Sequence, residues 1–289
     1  MSVSDHELSG LASSYDIIAI GMAADEVRRA RHGVRTTFVR VAEVSAVTGA
    51  PATGPATAGE IRVTGVPAST ADAIARVREV CASAGSVPVS AFSLSDLEQL
   101  AGRENATLRS ILEELRGVGL ELVAEAPIDL LQDARRSIEE VNIAGLGLAR
   151  LTVHRTPAAD PLPLLKSAAD LQHAVAVIRA FAPLPRRLNP SLPTTGYDDV
   201  KRVALARIVC DNVRSIQVDW ALYGPKLAQV ALTVGADDVD AVSPLDDAAG
   251  GRRRSPLEEI RRNITAAGFE PVERNGRNDL IAAVAPQRA

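Results

Sequence analysis

The 289-residue sequence is poor in residues that mark several common functions. Aromatic residues make up only 3% of the chain, which leaves few side chains to stack on nucleic-acid bases. The formal net charge of −4 also argues against binding to a polyanion. No segment approaches the ~20 consecutive apolar residues that a membrane-spanning helix needs. We therefore expect neither a nucleic-acid partner nor membrane insertion.

Cysteine is almost absent. Cys81 and Cys210 are the two cysteines of the sequence, and each falls on a predicted amphipathic helix. We interpret both as small buried apolar side chains, since free cysteine is usually buried. Two separated cysteines cannot form a disulfide framework, and residues 1–14 hold no apolar run of signal-peptide length. These features predict a cytoplasmic protein.

Motifs for metal, nucleotide or nucleophilic chemistry are also missing from the sequence. The four histidines, His6, His32, His154 and His173, are too widely scattered to match a zinc-ligand spacing. No phosphate loop or dinucleotide fingerprint occurs, and no serine stands in a nucleophile elbow. The sequence therefore predicts no metal site and no catalytic residue.

What the sequence does contain is a regular alternation of β-rich and helical segments. The predicted strands are 36–44, 60–66, 87–92, 120–126, 149–154, 175–181, 215–220 and 237–242. The predicted helices are 11–31, 71–84, 94–119 (broken near 103–106), 133–146, 161–172, 198–213, 225–234 and 256–267. Eight such units favour one α/β domain over residues 1–289, a (β/α)8 TIM-barrel-like fold. A doubly wound open sheet is the alternative.

One connection breaks the alternation. Residues 45–59 contain two prolines and three glycines without apolar periodicity, which predicts a flexible loop in place of the first helix. The first βα unit is therefore reduced. Either the leading helix within residues 1–35 covers the barrel there, or the barrel is open on that side. A second flexible loop is predicted at 243–255, before a closing helix and tail at 256–289.

The segment from Thr195 to Asp240 reads TGYDDVKRVALARIVCDNVRSIQVDWALYGPKLAQVALTVGADDVD. It closely resembles the C-terminal part of the radical S-adenosylmethionine enzymes of the futalosine route to menaquinone. These are aminofutalosine synthase and dehypoxanthine futalosine cyclase, and the deazaflavin synthases are similar. Residues 87–119 and 256–274 extend the resemblance, which implies a barrel of the radical S-adenosylmethionine type.

The resemblance fails at the position that carries the family's chemistry. In the family, the loop after the first strand carries CxxxCxxC, whose three thiolates hold a 4Fe-4S cluster that binds S-adenosylmethionine. Here residues 44–59 contain no cysteine. We therefore expect neither the cluster nor S-adenosylmethionine as a cofactor. The hypothesis is a pseudoenzyme, an accessory subunit whose partner is an active radical S-adenosylmethionine enzyme of menaquinone biosynthesis, or a homodimer.

The alternative hypothesis is a repurposed small-molecule-binding protein, or a cluster-free enzyme, that uses the barrel mouth. The residues proposed to bind a ligand follow predicted strands five to seven, where a barrel builds its site: His154, Arg186, Asp219, Trp220 and Tyr223. In the resemblance, His154 takes the place of the histidine in a Tyr-Gly-His segment. Glu43 and Glu125 end strands one and four, so they could face each other across the mouth. Each of these residues could instead be a remnant of the framework.

Overall fold

The computed structural model describes residues 5–155, 160–187, 195–245 and 254–281. The strands are β1 Arg35–Ser45, β2 Glu60–Thr64, β3 Val89–Ser93, β4 Leu122–Pro127, β5 Gly147–Leu148, β6 Leu151–Val153, β7 Ala180–Pro185, β8 Ser215–Asp219, β9 Asp238–Val242 and β10 Glu270–Glu273. The helices are α1 Asp5–Ser13, α2 Ile17–His32, α3 Thr70–Ser83, α4 Leu94–Glu104, α5 Leu108–Gly117, α6 Ala134–Ile143, α7 Leu162–Val175, α8 Gly196–Val209, α9 Trp220–Thr233 and α10 Pro256–Ala266.

Eight parallel strands close into a barrel. Their order is β1-β2-β3-β4-β6-β7-β8-β9, and β9 pairs with β1 to complete the ring. The short strand β5 pairs with β4 just before β6 does, and β10 pairs with the first half of β1. The predicted barrel is confirmed, and the open-sheet alternative is wrong because no strand of the ring has a free edge.

Most element boundaries follow the sequence pattern, and the exceptions have local causes. Helix α7 continues to Val175, where a strand was predicted, and ends on the left-handed residue Ala176. The predicted helix 11–31 is two helices, because Asp16 caps α2 by accepting the Ala19 N–H. Strands β5 and β10 were not predicted, since two to four residues carry too little periodicity.

The strands of the barrel turn one face to the helices and the other to the lumen. In β9, Val239 packs outward in the apolar core, while Asp238 and Asp240 on either side of it point inward. The same alternation places Val63 of β2 outward and Arg62 inward. Aliphatic side chains thus fill the layer between sheet and helices, whereas the lumen is charged.

Residues 45–59 cover the first two strands from outside. This segment must run from the top of β1 to the base of β2, the path that a helix takes in the other units. Gly54 lies so close to the sheet that a Cβ there would stand 2.7 Å from that of Ala42. Ala58 is buried, and the Gly59 N–H donates to the Arg40 carbonyl over 2.8 Å. The covering layer is therefore the loop itself, a third solution beside the two expected.

Arg76 of α3 anchors this loop. Its side chain is fully buried, and its guanidinium donates to the carbonyl oxygens of Ser45, Ala50 and Pro51 over 2.7, 2.9 and 2.8 Å. Ser83 adds a hydrogen bond to the Ala52 carbonyl. A segment without secondary structure leaves backbone carbonyls unpaired, and one buried arginine satisfies three of them.

Two further predictions concern segments of which only a part is described. Of the loop predicted at 243–255, residues 246–253 lie outside the described residues, as do residues 282–289 of the predicted tail. In the part of the chain that the structure describes, no helix is long and apolar enough to cross a membrane.

Candidate functional site

The middle of the barrel lumen contains four buried charges, Glu60, Arg62, Arg150 and Asp240, which we call the lumen network. Arg62 donates to Glu60 over 2.9 Å and to both carboxylate oxygens of Asp240 over 3.2 and 2.9 Å. Arg150 bonds the same two carboxylates. Every member is at most 4% exposed. Two cations and two anions compensate each other at the barrel centre.

The ionisation of this network follows from its contacts. Burial alone would raise the pKa of Glu60, but the guanidinium groups of Arg62 and Arg150 outweigh it and lower that pKa to about 2. Asp240 is likewise held well below the ordinary pKa of an aspartate by Arg150 and Arg62, against the effect of burial. The Ser90 hydroxyl donates to Glu60 over 2.6 Å. The lumen network is thus charged, paired and almost completely buried.

A second ion pair closes the lumen at its base. Arg274, which follows β10, donates twice to Asp238 over 2.7 Å each. Gln217 of β8 also donates to Asp238, over 2.7 Å. Fork-to-fork pairs of this kind fix both side chains in one geometry. Access to the lumen is therefore limited to its upper end, where the strands terminate.

Four more polar side chains meet at that upper end, and we call them the mouth cluster: Glu125, His154, Arg186 and Asp219. His154 donates from Nε2 to Glu125 Oε1 over 2.8 Å. Arg186 reaches Glu125 Oε2 at 3.1 Å and Asp219 Oδ2 at 3.0 Å. The four come from the ends of β4, β6, β7 and β8, so that barrel closure alone brings them together.

The position of His154 is fixed from below. Asp129, in the turn after β4, accepts the backbone N–H groups of His154 and Arg155 over 2.9 and 2.7 Å. The His154 side chain is 9% exposed, and none of the described residues bonds to its Nδ1. With Nε2 donating to a carboxylate, Nδ1 of the neutral ring is an acceptor. The mouth cluster therefore holds an unused hydrogen-bond acceptor.

Two carboxyl groups at the mouth have pKa values displaced in opposite directions. Burial would raise the pKa of Glu125, but the hydrogen bond from His154 and the charge of Arg186 lower it to about 2. Burial and the neighbouring charge of Glu125 raise the pKa of Asp96, in the first turn of α4. Carboxyl groups separated in this way can serve as proton donor and acceptor.

Two cavities open at the mouth and share Glu43. The smaller, of about 100 Å³, is lined by Glu43 and Glu125 together with Asp96, Arg150 and Arg186. Glu43 and Glu125 do therefore border the same cavity. The larger, of about 740 Å³, lies above β8, β9 and β1 and is bordered by Trp220, Gly224, Pro225 and Ser243. Its volume is in the range of small-molecule sites.

The structure brings together some of the ligand-binding residues that were proposed from the sequence. His154, Arg186 and Asp219 form one cluster, and Trp220 borders the adjoining cavity with 8% of its surface exposed. Tyr223 is outside it, since its hydroxyl donates to the Pro185 carbonyl over 2.6 Å and burial raises its pKa. Both oxygens of Asp219 are engaged, because Oδ1 caps α9 through the Leu222 N–H.

Sequence reasoning missed the residues that join the cluster. Glu125 was paired in the prediction with Glu43, not with His154, and Asp129 and Asp96 were not singled out. Glu125 and His154 are 29 positions apart, so no local spacing links them. The one signal in the sequence was their position, since Glu125 and His154 both lie at the end of a predicted strand.

The side chains of this chain do not fit the 4Fe-4S cluster that the resemblance implies. Such a cluster needs several thiolates close together. Cys210, at the end of α8, donates its thiol to the Leu165 carbonyl over 3.3 Å, and burial raises its pKa to about 12. Cys81 lies on α3 near Gly119, away from the mouth, and burial raises its pKa too. Among the described residues no group of three or more His, Cys, Asp or Glu is placed to hold a metal ion.

Comparison with known proteins finds a similarity in the C-terminal part of the chain. Residues 184–286 match the CofH/MqnC C-terminal region. A cyclic dehypoxanthine futalosine synthase of Streptomyces coelicolor is 29% identical over 180 residues, 56% of this chain and 45% of that protein. The chain is a relative of these synthases. Similarities to the aminodeoxyfutalosine synthases agree with this relationship.

Two aminodeoxyfutalosine synthases are also similar. That of Thermus thermophilus is 28% identical over 222 residues, 65% of this chain and 59% of that protein. That of Streptomyces coelicolor is 36% identical over 93 residues, 30% of this chain and 24% of that protein. The alignments thus span between about a quarter and three fifths of the length of these relatives.

Solved structures agree on the fold. Methylornithine synthase superposes with a TM-score of 0.68 at 13% identity, covering 94% of each chain. The hydrogenase maturase HydG from Carboxydothermus hydrogenoformans gives 0.63 at 13% identity, over 93% of this chain and 76% of that one. At such identities the likeness establishes the barrel architecture and nothing about chemistry.

Proposed function

We propose that this relative of the futalosine enzymes is a cluster-free protein that binds a small molecule at its barrel mouth. The observation that carries the proposal is the unused acceptor Nδ1 of His154, buried within a cluster that four strands assemble. A buried polar atom without a partner is costly, and a ligand donor would satisfy it. The polar mouth agrees with this function, because a mouth filled with apolar side chains would leave no space for a polar ligand.

The chemistry of the mouth defines the ligand class. Glu43 is exposed at the junction of the two cavities, and Trp220 offers the larger one an aromatic wall. The acceptor of His154 is buried behind the smaller cavity, where its ring is bonded to the lining residue Glu125. These groups suit a compact polar molecule with hydroxyl or amino donors and one flat face. Without thiolates for a cluster, radical cleavage of S-adenosylmethionine is not part of the proposal.

The single tryptophan of the chain supplies a direct test. Trp220 borders the larger cavity, so that a mouth ligand should change its fluorescence. Aminodeoxyfutalosine and cyclic dehypoxanthine futalosine, which the names of the relatives mention, are the first compounds to titrate. We expect saturable binding that weakens by about tenfold in His154→Gln, the loss expected for one buried hydrogen bond to a ligand.

The matched control for this test is His173→Gln. His173 is exposed and lies in the last turn of α7, which leads to the start of β7 at the base of the barrel. This variant should bind like the unmodified protein. Equal affinities of the two variants would rule out a role for His154. If neither compound binds saturably, a wider panel of polar metabolites must be screened, and failure of that panel would refute the ligand-binding proposal.

The absence of cluster chemistry has its own test. After anaerobic reconstitution with iron and sulfide, we expect no acid-labile sulfide bound to the desalted protein, because neither Cys81 nor Cys210 is an exposed thiolate. Stoichiometric sulfide that disappears in a Cys81→Ala, Cys210→Ala variant would contradict the proposal.

A second candidate function, that of an accessory subunit, is supported by a stripe of exposed apolar side chains. Ile18 and Met22, four positions apart on α2, are 72% and 70% exposed, and Tyr15, just before the helix, is 89% exposed. Exposed apolar surface of this kind marks contact with another protein. This stripe lies on α2 and not beside β1 and β2, because residues 45–59 cover those strands.

Co-purification with an active futalosine-route enzyme tests this candidate. An Ile18→Ser, Met22→Ser variant should lose co-purification without a change in melting temperature, since both side chains face solvent. Val230→Ser on α9, 45% exposed, is the control and should retain the partner. A wild-type chain that stays monomeric beside every such enzyme would refute the accessory role.

A further inference from the structure

A separate cavity of about 490 Å³ opens at the base of the barrel, at the end opposite the mouth. Its wall comes from the last turn of α2 and from the residues at which β1, β7, β8 and β9 begin. In barrels of this type the active site is at the other end. The residues of the mouth therefore have no part in this cavity.

The wall of the basal cavity carries an excess of positive charge. Five arginines border it: Arg31, Arg35, Arg179, Arg214 and Arg274. Only Arg274 is neutralised there, by its two bonds to Asp238. The carboxylates in the wall are Asp237 and Glu270, and Asp237 is already paired with the buried Arg207. Four arginines thus face one available carboxylate, Glu270.

The four arginines differ in how far the fold already occupies them. Arg31 donates to the carbonyls of Val213 and Asp211, and Arg179 donates to the Arg277 carbonyl over 3.0 Å. Arg35 and Arg214 make no side-chain hydrogen bond or ion pair with any residue of the described ranges. Both are exposed to the cavity's solvent. Two guanidinium groups are therefore free to hold a ligand.

We propose that the basal cavity is a binding site for a phosphate-type anion. Arg35 and Arg214 hold the anion, and Arg31 and Arg179 add to the positive electrostatic potential around it. Like charges gathered in a concave wall repel one another, and an anion removes that repulsion. Guanidinium groups match the oxygens of phosphate in paired hydrogen bonds. The volume is ample for inorganic phosphate and also admits a phosphomonoester such as AMP.

Calorimetric titration with inorganic phosphate at constant ionic strength tests the site, with AMP as a parallel arm. We expect saturable binding of phosphate, and tighter binding of AMP if the natural ligand is an ester. An Arg35→Gln, Arg214→Gln variant should bind at least about tenfold more weakly, as expected for losing two charge-assisted contacts. Glu270→Gln, which removes the opposing charge, should bind more tightly.

The control variant is Arg78→Gln, Arg136→Gln, which removes the same charge from exposed positions on α3 and α6 that do not border the cavity. It should bind phosphate like the unmodified protein. Trp220 fluorescence should not respond to phosphate, because Trp220 is at the mouth. Three results would overturn the proposal: no saturable binding, equal loss in the control variant, or a fluorescence change that assigns the anion to the mouth.

Discussion

The lumen network and the mouth cluster are built from the same residue types at two levels of one barrel, yet they differ in completeness. In the lumen, each guanidinium contacts both carboxylates, and every member is at most 4% exposed. At the mouth, Arg186 is 18% exposed and His154 keeps one ring nitrogen without a partner. The lower group pairs every charge and leaves only Nε of Arg150 without a partner in the described ranges, whereas the upper group is more exposed and keeps an acceptor that no charge compensates.

This difference distinguishes a structural role for the lumen network from a binding role for the mouth cluster. Buried charges are tolerated only when they are paired, and the lumen network satisfies that condition by itself. It needs no ligand to be stable. The mouth cluster satisfies most of its atoms and leaves one buried acceptor, Nδ1 of His154, whose ring is bonded to Glu125 in the wall of the smaller cavity. Four variants or conditions test this contrast.

The largest effect is expected from Asp240→Asn. The substitution leaves Arg62 and Arg150 buried with Glu60 as their one remaining carboxylate, and removing one partner of a buried ion pair costs about 3–5 kcal/mol. Urea denaturation measures the change. Glu139→Gln is the control, because its ion pair with Arg135 is exposed and should contribute less than about 0.5 kcal/mol. Similar losses in both variants would remove the distinction between framework and surface charge.

A fall in pH should weaken the ion pairs of both the lumen network and the mouth cluster. Glu60 and Glu125 have pKa values lowered to about 2 in the folded protein, against an ordinary value of 4.5. Their contribution to the free energy of unfolding is therefore complete above about pH 4.5 and is lost as the pH falls towards 2. Denaturation at a series of pH values should show this decline. In Glu125→Gln the slope below pH 4.5 should be smaller, and an unchanged slope would contradict the pairing of Glu125 with His154.

Arg186→Met should have an intermediate effect. Asp219 loses its ion pair but keeps the Leu222 N–H, and Glu125 keeps His154. Because water can reach this level, we expect a loss of about 1–2 kcal/mol, the cost of an imperfectly satisfied charged group. Binding of a mouth ligand should weaken in parallel. A loss as large as that of Asp240→Asn would show that the mouth cluster is framework too.

The smallest effect on stability is expected from Glu43→Gln. Glu43 is exposed and borders both mouth cavities, so that the free energy of unfolding should change by less than about 0.5 kcal/mol. Affinity for a mouth ligand with a donor group should nevertheless fall by about two- to fivefold, the range of an exposed charge contact. An unchanged affinity would exclude Glu43 from the site.

The fold was largely predictable because its signals are local. Alternating β-rich and helical runs predicted all eight strands of the ring in their order, and the break between α4 and α5 near Glu104 was expected. The strand ends also predicted where His154, Arg186 and Asp219 would gather. The site was predictable only to that extent, since the Glu125 link between His154 and Arg186 has no local signature.

The sequence alone determined the barrel, the relationship to the futalosine enzymes and the lack of a CxxxCxxC loop, because periodicity, segment similarity and cysteine positions are properties of the chain itself. The tertiary structure decided which charges are neighbours. Arg62 meets Asp240 across 178 positions, Arg76 holds a loop about 30 positions upstream, and the arginines of the basal cavity come from separate parts of the chain. Ring closure brings distant residues to one level of the lumen, and no pattern within a single segment records which of them will meet.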